Sequence, residues 1–226
     1  MRHRFDARTL LLGMGLIVAM TLPVGAAHAV DAAAITTQGN GKGAAPCMAC
    51  HGVDGGGQAS AGYPRLAGLD AAYLQKQLED FASGTRASPV MQITATALGE
   101  DERVALATYY SKLPLPPALM KPTTPMPAAD SVGSVLATRG RWSDNVPACV
   151  QCHGPAGVGV GANFPPLAGQ PAAYIETQLK AWQKGTRHND PLQLMQHLSG
   201  ALSAQDISAV AEWFAAQPLA AQGATP

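Results

Sequence analysis

All four cysteines of this 226-residue chain fall into one pentapeptide pattern, used twice: Cys47-Met48-Ala49-Cys50-His51 and Cys149-Val150-Gln151-Cys152-His153. No other feature constrains the fold as much. On an α-helix, side chains three and four residues apart stand on the same face. Each pattern therefore sends two thiols and an imidazole to one side of a helical turn, while Met48 and Ala49, for example, point elsewhere. A chain that presents such a three-pronged face in two places is expected to be helical there. The rest of each half should gather around whatever the prongs hold.

What they hold depends first on compartment. The N-terminus carries Arg2, Arg4 and Arg8, then an apolar run from Leu10 to Leu22, then Ala27-His28-Ala29. A basic start, a short apolar stretch and a small-x-small site predict a cleaved signal peptide at residues 1–29 and a periplasmic protein. The run is shorter than the roughly 20 apolar residues that span a bilayer, and no cysteine at the cleavage site offers a lipid anchor. Removing Arg2, Arg4, Arg8 and Asp6 from 15 basic and 15 acidic residues leaves 12 and 14, a mildly negative mature chain. That balance provides no basic face for nucleic acid and no basic run for a membrane surface. Neither partner is expected, nor is stable membrane insertion after cleavage.

In an exported protein four cysteines could form two disulfides, and a zinc site could recruit a histidine or the distant pair. Neither use explains a histidine directly after each pair, and neither copy lies in the strand–helix context of a redox disulfide. A covalently attached c-type haem explains all of it, because C-x-x-C-H is its attachment signature. Cys47 and Cys50, and again Cys149 and Cys152, would grip a porphyrin edge through thioethers while His51 and His153 reach the iron. Two covalently attached haem c groups are expected.

The duplication extends well beyond the pentapeptides. YPRLAGLDAAYLQKQLEDFASGTR (63–86) aligns without a gap on FPPLAGQPAAYIETQLKAWQKGTR (164–187), and LGEDERVALATYYSKLP (98–114) aligns on LSAQDISAVAEWFAAQP (202–218). Two homologous domains, 30–113 and 130–226, follow from repeats of this length. Between them, residues 114–129 hold six prolines and no helical period, which predicts a semi-rigid extended linker. Leu69, Tyr73, Leu74, Leu78 and Phe81 recur at helical spacing from Asp70 to a stop at Gly84, and Ala173, Tyr174, Ile175, Leu179 and Trp182 do so up to Gly185. Ser203 and Asp206 fit a capping box before the stripe Ile207, Val210, Ala211 and Phe214. The first helix of each domain is expected to carry its C-x-x-C-H near the end, over roughly 33–51 and 130–153, the latter interrupted near Gly140–Pro147. No segment alternates convincingly for a sheet. Each domain is under about 100 residues, where an apolar core is marginal. Aromatics make up only 5% of the chain, so a buried porphyrin would supply missing apolar mass and couple folding to its attachment.

A haem iron used for electron transfer takes a second strong ligand, and His/Met ligation raises its potential. Met91 and Met195 correspond: each follows Gly-Thr-Arg and a proline, and each stands seven residues before Leu98 or Leu202. The gap from arginine to methionine is five residues in one half and eight in the other, so the loops differ. Methionine also serves as core filler; the matched placement favours axial ligation. His188 and His197 are rivals in the second half only and read as surface residues. Arg86 and Arg187 are either solvated charges or partners of a haem propionate, for which a guanidinium fork is well shaped. Tyr73 and Tyr174 read as packing residues, and Pro64 and Pro165 as neighbours of the proximal face.

With C-x-x-C-H-G, P-x-L-A-G, Y-x-x-x-Q-L, Gly-Thr-Arg and the later methionine each present twice, the chain resembles the dihaem cytochrome c4 family over nearly its whole mature length. The resemblance implies an all-α protein of two tandem cytochrome c-type domains. These face each other about a pseudo-twofold axis, with haem propionates near the interface. It implies one-electron transfer in the periplasm from a quinol-oxidising complex towards a terminal oxidase or another reductase, with no substrate chemistry of its own. Leu69 departs from the family-like Gln170 after L-A-G, which removes that side chain's hydrogen bond from the first domain. Two other readings stay open. One is a dihaem subunit of a sulfide- or alcohol-oxidising dehydrogenase. The other is a peroxidase, against which two well-placed methionines argue, since that chemistry needs a displaceable site on iron.

Overall fold

Asp31 accepts a hydrogen bond from the Ala34 N–H (2.9 Å) and so opens the first helix, α1 (Ala32–Gln38), in a computed structural model that describes residues 30–120 and 125–219. The expected signal peptide, residues 1–29, lies outside the described residues. Helix α1 ends at Gly39, whose φ of 77° is left-handed; a Cβ there would stand 2.3 Å from the Ala44 carbonyl oxygen. The continuous helix expected over 33–51 is therefore broken. Asn40 closes the intervening loop by accepting from the N–H groups of Lys42 and Ala44. The helix resumes only as the single turn α2 (Met48–His51).

The first half continues with α3 (Ala71–Ser83), α4 (Pro89–Thr96) and α5 (Glu100–Lys112). Helix α3 starts and stops where the sequence indicates: Asp70 accepts from the Tyr73 N–H (3.0 Å), and Gly84 takes a left-handed φ of 83°. The second half repeats the order with α6 (Val132–Thr138), α7 (Val150–His153), α8 (Ala172–Gln183), α9 (Leu194–Gly200) and α10 (Ala204–Ala216). The Ser203/Asp206 capping box is present. Among the described residues there is no β-strand, only isolated bridges, and no helix is long and apolar enough to cross a membrane.

Each half has its own core. Ile35, Leu69, Tyr73, Leu74, Leu106 and Tyr110 form the first. Leu136, Ile175, Leu179, Ile207, Val210 and Phe214 form the second. In both, the first and last helices pack together and the same polar brace ties the loop before C-x-x-C-H to the last helix. Its chemistry differs between halves. Asn40 donates to Glu102 (3.1 Å) in one, whereas Arg141 makes a bidentate pair with Asp206 (2.9 Å twice) in the other. Among the described residues the proline-rich segment includes a 3-10 turn, Pro117–Leu119, and the Leu119 carbonyl accepts from the Leu219 N–H (2.9 Å), so the segment after α10 reaches the linker.

Candidate functional site

The two pentapeptides fold alike. In each helical turn the histidine N–H returns to the first cysteine's carbonyl, His51 to Cys47 at 3.0 Å and His153 to Cys149 at 2.9 Å. That i to i−4 bond makes the turn that stacks the three functional side chains. The four thiols are half-buried and unpaired with one another. Among the described residues no cluster of three or more His, Cys, Asp or Glu is set to hold a metal ion by itself.

Both imidazoles are buried and held identically. Nδ1 of His51 lies 2.9 Å from the Pro64 carbonyl oxygen, and Nδ1 of His153 lies 2.8 Å from that of Pro165. A carbonyl only accepts, so Nδ1 carries the proton and Nε2 keeps a free lone pair. Burial pulls both imidazole pKa values down, and the carbonyl bond opposes this only in part, so both rings are neutral. An aromatic ring flanks each: Tyr63 at 6.3 Å and Phe164 at 6.2 Å between centroids. The two prolines that the repeat placed near the proximal face act through their carbonyls.

Met91 and Met195 are half-buried and lie in the first turns of α4 and α9, not in loops. Each backbone N–H is held by a side chain just upstream, Met91 by Ser88 Oγ (3.3 Å) and Met195 by Asp190 Oδ2. The three extra residues of the second loop are accommodated by a turn through Asn189 and Asp190 and a left-handed Gln193 (φ 56°) that starts α9. His188 and His197 are exposed, as expected.

The arginines overturn one expectation. Arg86 and Arg187 are not solvated charges; they are 4% and 5% exposed and meet between the two halves. Their segments pair as a short antiparallel bridge, with Ala87 N–H on Thr186 O (3.0 Å) and His188 N–H on Thr85 O (2.9 Å). Each guanidinium lies over an aromatic ring of its own half, Arg86 on Phe81 (4.4 Å) and Arg187 on Trp182 (3.8 Å). Each also reaches across. Arg86 donates to Gln178 (2.7 Å) and to the Tyr174 hydroxyl (2.8 Å), and Arg187 donates to Gln77 (3.2 Å). A third buried cation, Arg65, had no signal in the repeat, because Pro166 occupies its place in the second half. Among the described residues its guanidinium is capped by the carbonyls of Ala67 and Ala168. Its backbone N–H and C=O are both bound by the Gln170 amide (3.0 Å each). Gln170, unmatched by Leu69, is thus a bond between domains. Burial pulls the Arg65 pKa down to about 10, and burial with repulsion from Arg86 does the same to Arg187.

These side chains suit a haem. Among the described residues none of the three arginines has a carboxylate in ion-pair contact. Nε of Arg65, Nε of Arg86 and Nε1 of Trp182 are buried donors without an acceptor. Buried donors and cations are costly unless matched. A ligand that is apolar in bulk and brings carboxylates fits both needs, alongside thiols able to attach it and imidazoles with a free Nε2.

The family model described as "Cytochrome c" matches residues 40–114 and again 142–216. A protein described as "Thiosulfate dehydrogenase electron acceptor" from Stutzerimonas stutzeri is 52% identical over 190 residues, covering 84% of this chain and 87% of that one. A cytochrome c4 of Azotobacter vinelandii is 36% identical, with 91% and 95% covered. Among solved structures, a thiosulfate dehydrogenase (TsdBA) from Marichromatium purpuratum superposes with a TM-score of 0.76 at 43% identity; the match covers 85% of this chain but only 41% of that longer one. Reduced cytochrome c4 from Pseudomonas stutzeri superposes with a TM-score of 0.65 at 33% identity, covering 76% and 93%.

Proposed function

This chain belongs to the cytochrome c family, as a c4-like electron carrier with two covalently attached haem c groups, and on that premise we propose that it accepts electrons in the periplasm from a thiosulfate-oxidising enzyme. The carrying observation is the gradient of likeness: 52% identity to a thiosulfate dehydrogenase electron acceptor against 36% to a cytochrome c4, over comparable lengths. The sequence reading names sulfide or alcohol as the substrate of a linked dehydrogenase; the likeness supports thiosulfate in their place. Delivery of the electrons to a terminal oxidase or another reductase belongs to the same proposal. A carrier between a quinol-oxidising complex and an oxidase is the second reading, supported by the likeness to cytochromes c4. The division into 30–113 and 130–226, joined by 114–129, is part of this reading.

Each iron supplies a reversible one-electron ferric/ferrous couple. In our reading Cys47, Cys50, Cys149 and Cys152 would anchor the haems, His51 and His153 would bind the irons through Nε2, and Met91 and Met195 would supply the second iron ligands. The Nδ1–H bond to Pro64 or Pro165 fixes ring plane and tautomer, aims Nε2, and makes the imidazole a better donor. The Ser88 and Asp190 bonds to the methionine N–H groups limit how far each thioether can swing. Arg65, Arg86 and Arg187 offer positive charge in a water-poor interface, which favours retained carboxylates there. Because the contacts between the halves are buried, the two domains are held together, so that an electron entering at one could leave from the other.

The test is direct. The oxidised dihaem protein is mixed with thiosulfate and a purified thiosulfate dehydrogenase, and haem reduction is followed by absorbance. Reduction of both haems at catalytic dehydrogenase concentration is expected. If reduction is no faster than that of an unrelated c-type cytochrome, the thiosulfate assignment is wrong and the quinol-linked reading replaces it.

A further inference from the structure

The two halves hold their distal methionines differently. In the first, Ser88 caps Met91 within one short segment, and that segment is tied to the other domain by backbone at Ala87, on the Thr186 carbonyl (3.0 Å), as the second half is at His188. In the second, the loop is three residues longer, and its added turn is bound to the other domain. Asn189 is the pivot. Its Nδ2 donates to Asp80 Oδ2 (2.7 Å) and to Gln77 Oε1 (3.0 Å), both on α3 of the first domain. Its backbone carbonyl accepts from Lys76 Nζ (3.1 Å), which is itself paired with Asp80 (2.6 Å). Its Oδ1 accepts from Arg187 Nε (3.0 Å), a hydrogen bond within its own half. The next residue, Asp190, takes the Met195 N–H. The first half has no counterpart, because Asp80 and Lys76 correspond to Ala181 and Thr177 in the repeat.

We infer that Asn189 is a positioning residue through which the first domain, by Asp80, Lys76 and Gln77, sets the seat of Met195 on the second haem. The chain of contact is continuous: α3, Asn189, Asp190, Met195 N–H. Three of the four hydrogen bonds at Asn189 come from or go to the other domain, and one ends on a carboxylate, the stronger kind. Gln193 needs support of this sort, since a non-glycine residue held at positive φ persists only where its surroundings over-determine it. The consequence is an asymmetry of function. Both loops share the backbone crossing, but in the first half the side-chain bond that seats the methionine comes from its own domain. The second haem keeps its distal ligand only while the domains are docked, so a partner that loosens the interface at α3 would also loosen the second iron's thioether and lower that haem's potential.

The inference rests on Met195 as the second iron's distal ligand, and the experiment separates the two. Imidazole is titrated into the oxidised dihaem protein, and loss of the methionine-to-iron charge-transfer absorption gives its affinity at each haem. The shifted methionine methyl resonances of the reduced protein count intact Met–iron bonds. Met91→Ala and Met195→Ala assign the signals. Asn189→Ala and Asp80→Ala should each raise imidazole affinity at the second haem about tenfold, the scale of one charge-assisted hydrogen bond. The first haem should change by less than about twofold on the same scale. The double variant should add little to either single one, as for residues acting through one contact. Lys76→Ala, at a partly exposed site, should shift the same haem in the same direction by less, and serves if another variant fails to mature with two haems. If Met195→Ala removes one methyl resonance while the Asn189, Asp80 and Lys76 variants leave the second haem's affinity unchanged, or shift both haems equally, the inference is overturned and the ligand assignment stands. If Met195→Ala leaves both resonances in place, the ligand assignment itself fails.

Discussion

Replacing Gln170 with leucine is the sharpest test of how the domains are held together. The side chain is 3% exposed, and its amide satisfies both backbone groups of Arg65 across the interface at 3.0 Å each. Leucine has nearly the same volume and is the residue the repeat carries at the matching Leu69. The substitution therefore removes two hydrogen bonds without opening a large cavity. Leaving a buried donor and a buried acceptor unpaired costs about 1–3 kcal/mol each, and added apolar burial returns about 1 kcal/mol. A net loss of about 3 kcal/mol follows. With a urea dependence of about 2 kcal/mol per M, the unfolding midpoint of the dihaem protein should fall by about 1.5 M. The transition should also broaden or split, because domains that lose their clamp no longer unfold together. Urea titration followed by far-ultraviolet circular dichroism reads both effects. A midpoint within about 0.3 M of the parent, far below the expected loss on that scale, would mean that water replaces the amide and that Gln170 does not couple the domains.

Asp206 makes an acid-side prediction. Hydrogen bonds from Arg141 and the Ser203 cap hold its carboxyl far below the usual carboxylate range. A depressed pKa contributes stability that is present above the unfolded value, about 4, and lost as pH falls through the folded one. Asp206→Asn should therefore flatten the loss of stability below about pH 4, measured as thermal midpoints across pH; an unchanged acid slope would contradict the assignment. Gly133 is the contact point of α6 on α10, where a Cβ would stand 2.1 Å from the Ala209 carbonyl oxygen. Gly133→Ala should cost about 1–3 kcal/mol by overpacking, seen as a lower melting temperature, with the spectrum of the second haem perturbed more than that of the first.

Much of the architecture could be read from local pattern. The limits of α3 follow from Asp70 and Gly84, and the start of α10 from Ser203 and Asp206, because caps act within a single turn. The break after Gln38 is less legible: the loop is held by a left-handed Gly39 and by the Asn40 side chain accepting from the Lys42 and Ala44 N–H groups, and it carries no hydrophobic period. The interface was hardest to read. Arg86 and Arg187 look like surface charges in a linear chain, and nothing in a repeat marks Arg65, whose counterpart is Pro166.

By itself the sequence determined what is local and what is duplicated: two helical halves, the C-x-x-C-H turns, and the cofactor class that a fixed spacing of cysteine and histidine demands. These depend on residues three and four apart on a helix, a geometry that holds before anything packs. Only the tertiary structure decided what acts over distance. The Pro64 and Pro165 carbonyls that orient the imidazoles lie 13 and 12 residues away, and the Asp80–Asn189 and Arg65–Gln170 bonds join residues more than 100 apart. Such contacts arise from how two helical units dock. Docking is set by shape and by the pairing of buried polar groups over the whole interface, which no short window of sequence contains.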